Sequence, residues 1–289
     1  EGKTIIHLEI GQPDFQTPKN ICDAAIASIK AGDHGYTPSN GTLELRKVIA
    51  DYITRTRGVQ RDADEVVMMP GAKPVMFYAM LALVDEGDEV IYPNPGFPIY
   101  ESMINFVGGK AVPLKLEESK NFSFDVDDLK KLITPKTKLI IINTPQNPTG
   151  GILTEDTIRK IAEVVKDTDI MILSDEIYSR LIFTGEHFSI TQIPGMVERT
   201  IILEGFSKTY AMTGWRAGYG VMRKDLAELF SKLMTNSNSC TNAMVQKACI
   251  EAYTGPQDAV EFMKAEFLKR RDVIVDGLNS IPGFSCVVP

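Results

Sequence analysis

Lys208 follows Ser207 just after an apolar run, Thr200 to Glu204, and Arg216 stands eight positions further on beside Trp215, the single tryptophan of the chain. A lysine is ordinarily a solvated surface charge. Here it sits instead behind an apolar strand, beside a serine and eight positions before an arginine that adjoins the only tryptophan, a setting that a solvated surface charge does not call for. Asp175 closes the run Ile170 to Ser174 and is followed by Glu176, Ile177 and Tyr178. An acid there costs desolvation unless it is paired, so it either caps the next segment or meets a cationic ligand. Two further segments stand out. One strand exit holds Asn143, Pro145, Asn147, Pro148, Gly150 and Gly151; turn chemistry accounts for the prolines and glycines but not for an amide at 147. Pro70, Gly71, Ala72 and Lys73 join a strand to a helix. Backbone N–H groups opening such a helix suit a phosphate, and the plainer reading is a tight connecting turn.

All four segments follow short runs of branched apolar residues that alternate with longer amphipathic stretches. That is the pattern of βαβ units in an α/β fold with a mostly parallel sheet, in which ligands bind where strands end at their carboxyl edge. The predicted strands are Val66 to Met69, Glu89 to Tyr92, Lys110 to Pro113, Leu139 to Asn143, Ile170 to Ser174, Thr200 to Glu204 and Ala217 to Met222. Predicted helices include Pro74 to Val84, Thr154 to Lys166 and Leu226 to Met234, with Thr154 as a cap and Glu155 and Asp156 in the first turn. The run Leu139 to Asn143 has no polar alternation, which predicts a strand covered on both faces in the middle of the sheet. From about residue 240 the pattern is helical, through Asn242 to Tyr253 and Asp258 to Leu278, before a short apolar stretch, Phe284 to Val288. No repeat, low-complexity tract or Gly/Ser linker interrupts the chain, so a domain boundary runs through a helix or a short turn.

A chain of 289 residues exceeds one average domain. Its 44% apolar and 24% charged residues exclude a disordered or collagen-like class. A net charge of -7 gives no footprint for nucleic acid or an anionic membrane, which leaves small molecules as the expected partners. Cys22, Cys240, Cys249 and Cys286 show no metal or redox spacing, and His7, His34 and His187 neighbour neither one another nor a cysteine, so no metal site is expected. No apolar stretch approaches the ~20 residues of a membrane helix, and the first residues lack a signal-peptide pattern, which points to the cytoplasm.

Taken together and in order, the motifs resemble the aminotransferase class I/II family, the pyridoxal 5′-phosphate (PLP) enzymes of fold type I, and within it the bacterial aspartate and aromatic aminotransferases. The resemblance runs over nearly the whole chain. It is carried by the segment Leu8 to Phe15 with Gly11, by Tyr36, by Asn147 to Gly150, by Asp175 to Tyr178, by Ser207 and Lys208, and by Met212 to Arg216. It implies a three-layer α/β large domain, helices on both faces of the sheet, plus an incomplete small domain. The expected division is an N-terminal segment 1–35, a PLP-binding domain 36–240, and interdomain helices with the start of the small domain at 241–289.

By the same resemblance, Lys208 carries the cofactor as a Schiff base and later shuttles a proton, while Asp175 pairs with the ring nitrogen. Asn147 and Tyr178 meet the 3′ oxygen, with Asn147 also on the substrate side. The phosphate falls to the backbone of Gly71, Ala72 and Lys73, the Ser207 hydroxyl and Arg216, joined by Tyr36 from the second subunit of a homodimer. Phe97 stacks on the ring unless it is a core aromatic. Gly11 lies near the substrate carboxylate, where a side chain would obstruct. Lys73 meets an acidic substrate side chain unless it is solvated.

The implied reaction moves an amino group from an aspartate-like or aromatic amino acid to a 2-oxo acid. Family members extend beyond both ends of this sequence, and the arginine that clamps the substrate carboxylate is expected beyond Pro289; Arg270 and Arg271 read as solvated or structural. Alternatives within the same fold are a C–S lyase or a cyclopropane-forming synthase, and from another class a non-catalytic aminotransferase-like domain.

Overall fold

The computed structural model describes residues 2, 4, 5, 7 and 10–289, so Leu8 and Glu9 of the first motif lie outside the described residues. The chain opens with helices α1 (Lys19–Ala31) and α2 (Leu43–Arg57), then alternates strand and helix. The order is β1 (Val66–Met69), α3 (Lys73–Leu83), β2 (Glu89–Asn94), α4 (Ile99–Phe106), β3 (Lys110–Lys115), α5 (Val126–Leu132), β4 (Thr137–Asn143), α6 (Glu155–Val165), β5 (Met171–Asp175), β6 (Thr200–Gly205) and β7 (Gly218–Val221). Three helices follow: α7 (Lys224–Ser237), α8 (Ala243–Thr254) and α9 (Asp258–Asn279).

The strands form one seven-stranded sheet in the order β1, β7, β6, β5, β4, β2, β3. All neighbours run parallel except β7, which is antiparallel to both β1 and β6. The run Leu139 to Asn143 is therefore an interior strand, as its composition predicts, but it sits one place off centre; the central strand is β5. Both faces are covered. Leu139 and Ile141 pack into the core beneath α3, α4 and α7, whereas Ile140 and Ile142 pack on the opposite side against α6. The remainder of that second face, Val66, Met68 and Tyr219 among it, is covered by α1, α2, α8 and α9. An apolar strand with no polar alternation fits this three-layer arrangement, because neither face meets water.

Local signals set the helix limits. In α6, the Thr154 hydroxyl accepts from Thr157 N–H at 3.2 Å, with Glu155 and Asp156 in the first turn. Its far end is closed by the Arg199 guanidinium, which donates to Val165 O at 2.7 Å, Thr168 O at 2.7 Å and Lys166 O at 3.1 Å. These bonds satisfy carbonyls that the last turn leaves without an intrahelical donor. Asn242 likewise caps α8 by accepting from Val245 N–H at 3.2 Å. Arg270 pairs with Asp14 at 2.7 Å and lies over the Phe15 ring, and Arg271 pairs with Asp272, both as structural surface contacts. Thr154→Ala is expected to lower the unfolding free energy by about 1 kcal/mol in a denaturant titration; an unchanged midpoint would contradict the capping role.

Candidate active site

The site residues gather at one edge because of the strand directions. Strands β1, β4, β5 and β6 all end there, and antiparallel β7 begins there: Gly218 is in register with Met69 on one side and Gly205 on the other. The turn after β1, the turn after β6 and the residues just before β7 are thereby brought together. The fit is close enough to dictate glycine. A Cβ on Gly218 would lie 2.4 Å from Ala72 N, and one on Gly71, whose φ is +99°, would lie 2.2 Å from Arg216 Nη2. Arg216 thus lies across the Gly71 turn, with its Nη1 donating to Thr213 O at 2.8 Å and no ion pair among the described residues.

Gly71 N–H turns back to Met69 O at 2.7 Å, and α3 begins at Lys73 with no side-chain cap. A helix start without a capping side chain, a glycine turn and a guanidinium across it make a cradle for a dianion. Ser207, nearly buried, sits in the adjoining turn directly before Lys208, where its carbonyl accepts from Met212 N–H at 3.1 Å.

Lys208 is half-buried and points back over the edge: its ammonium donates to Gly11 O and lies 6.0 Å from the centre of the Tyr178 ring. Burial, then the charges of Lys73 and Arg216, hold its pKa below the usual lysine range. That favours the free amine, the form that can attack a carbonyl carbon or accept a proton. A Cβ on Gly11 would meet no protein atom within 4 Å, so packing does not impose that glycine.

Asp175 ends β5, opposite Asn143 of β4 and Leu203 of β6 in the sheet register. Its carboxylate is buried; Oδ2 accepts from the Tyr100 hydroxyl at 2.6 Å and Oδ1 more weakly from Ile177 N–H at 3.3 Å. Burial pushes its pKa up to about 6, against which the Tyr100 and Ile177 hydrogen bonds pull down. Tyr178, also shielded, is pushed up to about 12 by burial and by Asp175. Asn147 is placed by the strand before it: its N–H donates to Asn143 Oδ1 at 2.8 Å, and Asn143 Nδ2 in turn donates to Asp175 O at 3.1 Å. Gln146 closes the same exit, donating to Pro95 O at 2.8 Å. Phe97 stands edge-on to Tyr100 with ring centres 5.8 Å apart, and Lys73 Nζ lies 5.6 Å from the Phe97 ring centre.

The edge therefore gathers Gly11, Gly71, Ala72, Lys73, Phe97, Asn147, Asp175, Tyr178, Ser207, Lys208 and Arg216. Tyr36 is not part of this cluster: it is 90% exposed in the connection between α1 and α2. Sequence reasoning missed Tyr100 and Asn143. Asn143 stands in a quoted motif as the last residue of a strand, the position that marked Asp175, and that signal was available. Tyr100 lies inside α4, where an aromatic reads as core.

Among the described residues, one group of carboxylates, Glu117, Asp125 and Asp128, has oxygens close enough for a metal ion. It follows β3, an outermost strand of the sheet, and the Lys120 ammonium bridges Glu117 and Asp125 at 2.6 Å each. No helix among the described residues is long and apolar enough to cross a membrane.

A mixed sheet with an antiparallel strand between β1 and β6, a shielded lysine after β6 and a buried acid after β5 define the large domain of a PLP-dependent transferase of fold type I. The model of the aminotransferase class I and II family matches residues 3–289, and the chain belongs to that family. It is 40% identical to the aspartate aminotransferase of Geobacillus stearothermophilus over 290 residues and 39% identical to that of Bacillus subtilis over 290 residues, covering 100% of this chain and 74% of each relative. The crystal structure of the aspartate aminotransferase from Rhizobium meliloti superposes with a TM-score of 0.97 at 36% identity, over 100% of this chain and 73% of that one. The aromatic aminotransferase from Pyrococcus horikoshii superposes with a TM-score of 0.91 at 37% identity, over 93% and 74%. The protein is a PLP-dependent aminotransferase, and the residues at the edge fit that coenzyme: a shielded amine for its aldehyde, a buried acid for its ring nitrogen and a cationic glycine cradle for its phosphate.

In protein freed of coenzyme, the folded chain holds Asp175 at about 6 against an ordinary value of 3.8, so it binds the additional proton between those values. Stability is expected to fall as pH rises through that window and to level off above it, at a loss of about 3 kcal/mol. Asp175→Asn should reduce that decline in pH-dependent melting of the coenzyme-free protein, leaving the part that the buried Glu204 contributes; the same decline in the variant would contradict the assignment.

Proposed function

We propose that this enzyme moves the amino group of an acidic amino acid to a 2-oxo acid, with Lys208 as the covalent anchor and proton carrier. The observation that carries this reading is the pairing of a shielded, charge-suppressed Lys208 with a buried Asp175 on neighbouring strand exits. PLP, when bound, supplies a sink for the electron pair left at the substrate α-carbon. Lys208 would anchor PLP through its aldehyde, and its free amine would carry the proton of the substrate α-carbon, a general acid/base role. Asp175 holds the ring nitrogen in its cationic form, a task that burial makes effective because the opposite charge lies in a low dielectric.

Asn147 and Tyr178 donate toward the 3′ oxygen, and Asn147 borders the substrate. Arg216, Ser207 and the backbone of Gly71, Ala72 and Lys73 bind the phosphate, while Phe97 stacks on the ring face. Gly11 leaves room for the substrate carboxylate. Lys73, exposed and beside Phe97, supplies a cation for a side-chain carboxylate, and its neighbourhood supports an acidic over an aromatic donor. We assign residues 36–240 to the coenzyme domain, and the exposed Tyr36 to the phosphate of a second copy in a homodimer. Four free cysteines suit a reducing compartment such as the cytoplasm.

Lys208→Ala should lower kcat with aspartate and 2-oxoglutarate by about 10⁴-fold or more. Activity within an order of magnitude of the unaltered enzyme would refute the role. Lys73→Gln should raise KM for aspartate by about 10-fold and change KM for an aromatic donor much less; equal effects on both KM values would remove Lys73 from substrate recognition.

A further inference from the structure

The two strand exits that carry the site are tied together on the face of the sheet away from it. Side chains alternate along a strand, so Asp175 faces α4, where Tyr100 meets it, and Glu176 faces the opposite side with Ser174, where α2 packs. Arg57, the last residue of α2, bridges the ends of β5 and β6 on that face. Its Nε donates to Glu176 Oε2 at 2.8 Å and its Nη2 to Glu204 Oε2 at 2.9 Å, with all three side chains buried. The other oxygens are also satisfied. Glu176 Oε1 accepts from Ser174 Oγ at 2.9 Å and Ser189 Oγ at 2.6 Å, and Glu204 Oε1 accepts from Ser179 Oγ at 2.7 Å. His187 Nε2 lies 2.9 Å from Glu176 Oε2.

Stability alone does not account for this cluster. A buried ion pair roughly breaks even against apolar residues of the same volume, and here one guanidinium faces two carboxylates. Burial pushes Glu204 upward, with Arg57 and then Ser179 pulling it back. Glu176 resists the same burial because Arg57 and His187 hold it below the ordinary carboxylate range. What the cluster does supply is direction. A planar fork with two separate donors fixes the distance between two acids, which a packed apolar pair does not. The acids are also next to the chemistry: Glu176 adjoins Asp175, Ser179 adjoins Tyr178, and Glu204 precedes Lys208 by four residues. Glu176 N–H donates to Leu203 O at 2.9 Å, which adds a backbone tie between the same two exits.

We propose that Arg57, Glu176 and Glu204 form a buried strut that sets the spacing between Asp175 and Lys208, which makes Arg57 and Glu204 positioning residues for the coenzyme. The inference rests on the assignment of Asp175 and Lys208 made above, and reaches residues that touch neither coenzyme nor substrate. A lysine at 57 keeps the charge but reaches only one of the two acids, so the strut predicts that Arg57→Lys fails to restore what Arg57→Met loses.

The experiment measures coenzyme dissociation constant, visible absorption maximum, kcat and KM in the unaltered protein, Arg57→Met, Arg57→Lys and Ser179→Ala. Both arginine variants are expected to bind PLP about 10-fold more weakly, with a displaced absorption maximum and a loss in kcat that exceeds any change in KM. Ser179→Ala removes one hydroxyl from the network, leaves every charge in place and so remains folded; it is expected to bind PLP about threefold more weakly. Should the arginine variants not fold, Ser179→Ala decides the question, supported by Arg57→Met combined with Glu176→Gln and Glu204→Gln, which removes the uncompensated charge. Folded variants that merely melt earlier, with affinity and spectrum unchanged, would reduce the cluster to a stability element and overturn the proposal. Coenzyme fixed by the unaltered protein at a residue other than Lys208 would instead sink the site assignment, and the strut with it.

Discussion

The carboxylate of Asp175 is buried at the end of the central strand, and much of the edge is organised around making that tolerable. Burial alone drives the group toward its neutral form, and one hydroxyl and one weak backbone donor recover only part of its acidity. In the proposed function a cationic ring nitrogen would complete the pairing, which would make an otherwise costly acid an anchor for the coenzyme the family uses. The supporting residues come from separate layers: Tyr100 from α4 above the sheet, Asn143 from the neighbouring strand, and the Arg57 cluster behind. Chemistry at one carboxylate thereby constrains a helix face, a strand register and a buried ion cluster at once.

The turn proposed to hold the phosphate depends on a different constraint, the direction of β7. Had β7 run parallel to its neighbours, its first residues would lie at the far edge, and Arg216 would be a strand length from Gly71. Antiparallel insertion puts the start of β7 between the ends of β1 and β6. Contact there is so close that Gly218 admits no side chain, and at Gly71 a side chain would be strained by the φ of +99° and would displace the Arg216 guanidinium. The same proximity places two cations beside Lys208, and with burial they suppress its charge. Cradle and nucleophile are therefore parts of one packing arrangement.

Much of this was legible in the sequence because burial and turn chemistry leave local marks. Seven apolar runs gave the seven strands within one or two residues, and Thr154 capped the helix it was expected to cap. Asp175 stood out because a charged residue at the end of an apolar run is anomalous, and Lys208 because it stands just behind such a run, beside Ser207 and ahead of Trp215 and Arg216. Tyr100 and Arg57 left no such mark, although Glu204, which closes the run Thr200 to Glu204, carries the same one as Asp175. Arg57 lies at the end of an amphipathic helix, where a basic residue suits the helix dipole and calls for no other explanation. Its partners Glu176 and Glu204 lie 119 and 147 residues away in the chain, a pairing that only the fold reveals. The central position expected for Leu139 to Asn143 was off by one strand because composition reports that both faces are covered, not how many strands lie to each side.

The most direct test is a map of where the coenzyme is fixed. Protein incubated with PLP, reduced with borohydride, digested and sequenced by mass spectrometry should carry the pyridoxyl mass on a single peptide, at Lys208. Labelling at Lys73 or any other lysine, with Lys208 unmodified, would contradict the account of this edge as the site where the amine, the buried acid and the phosphate cradle work together.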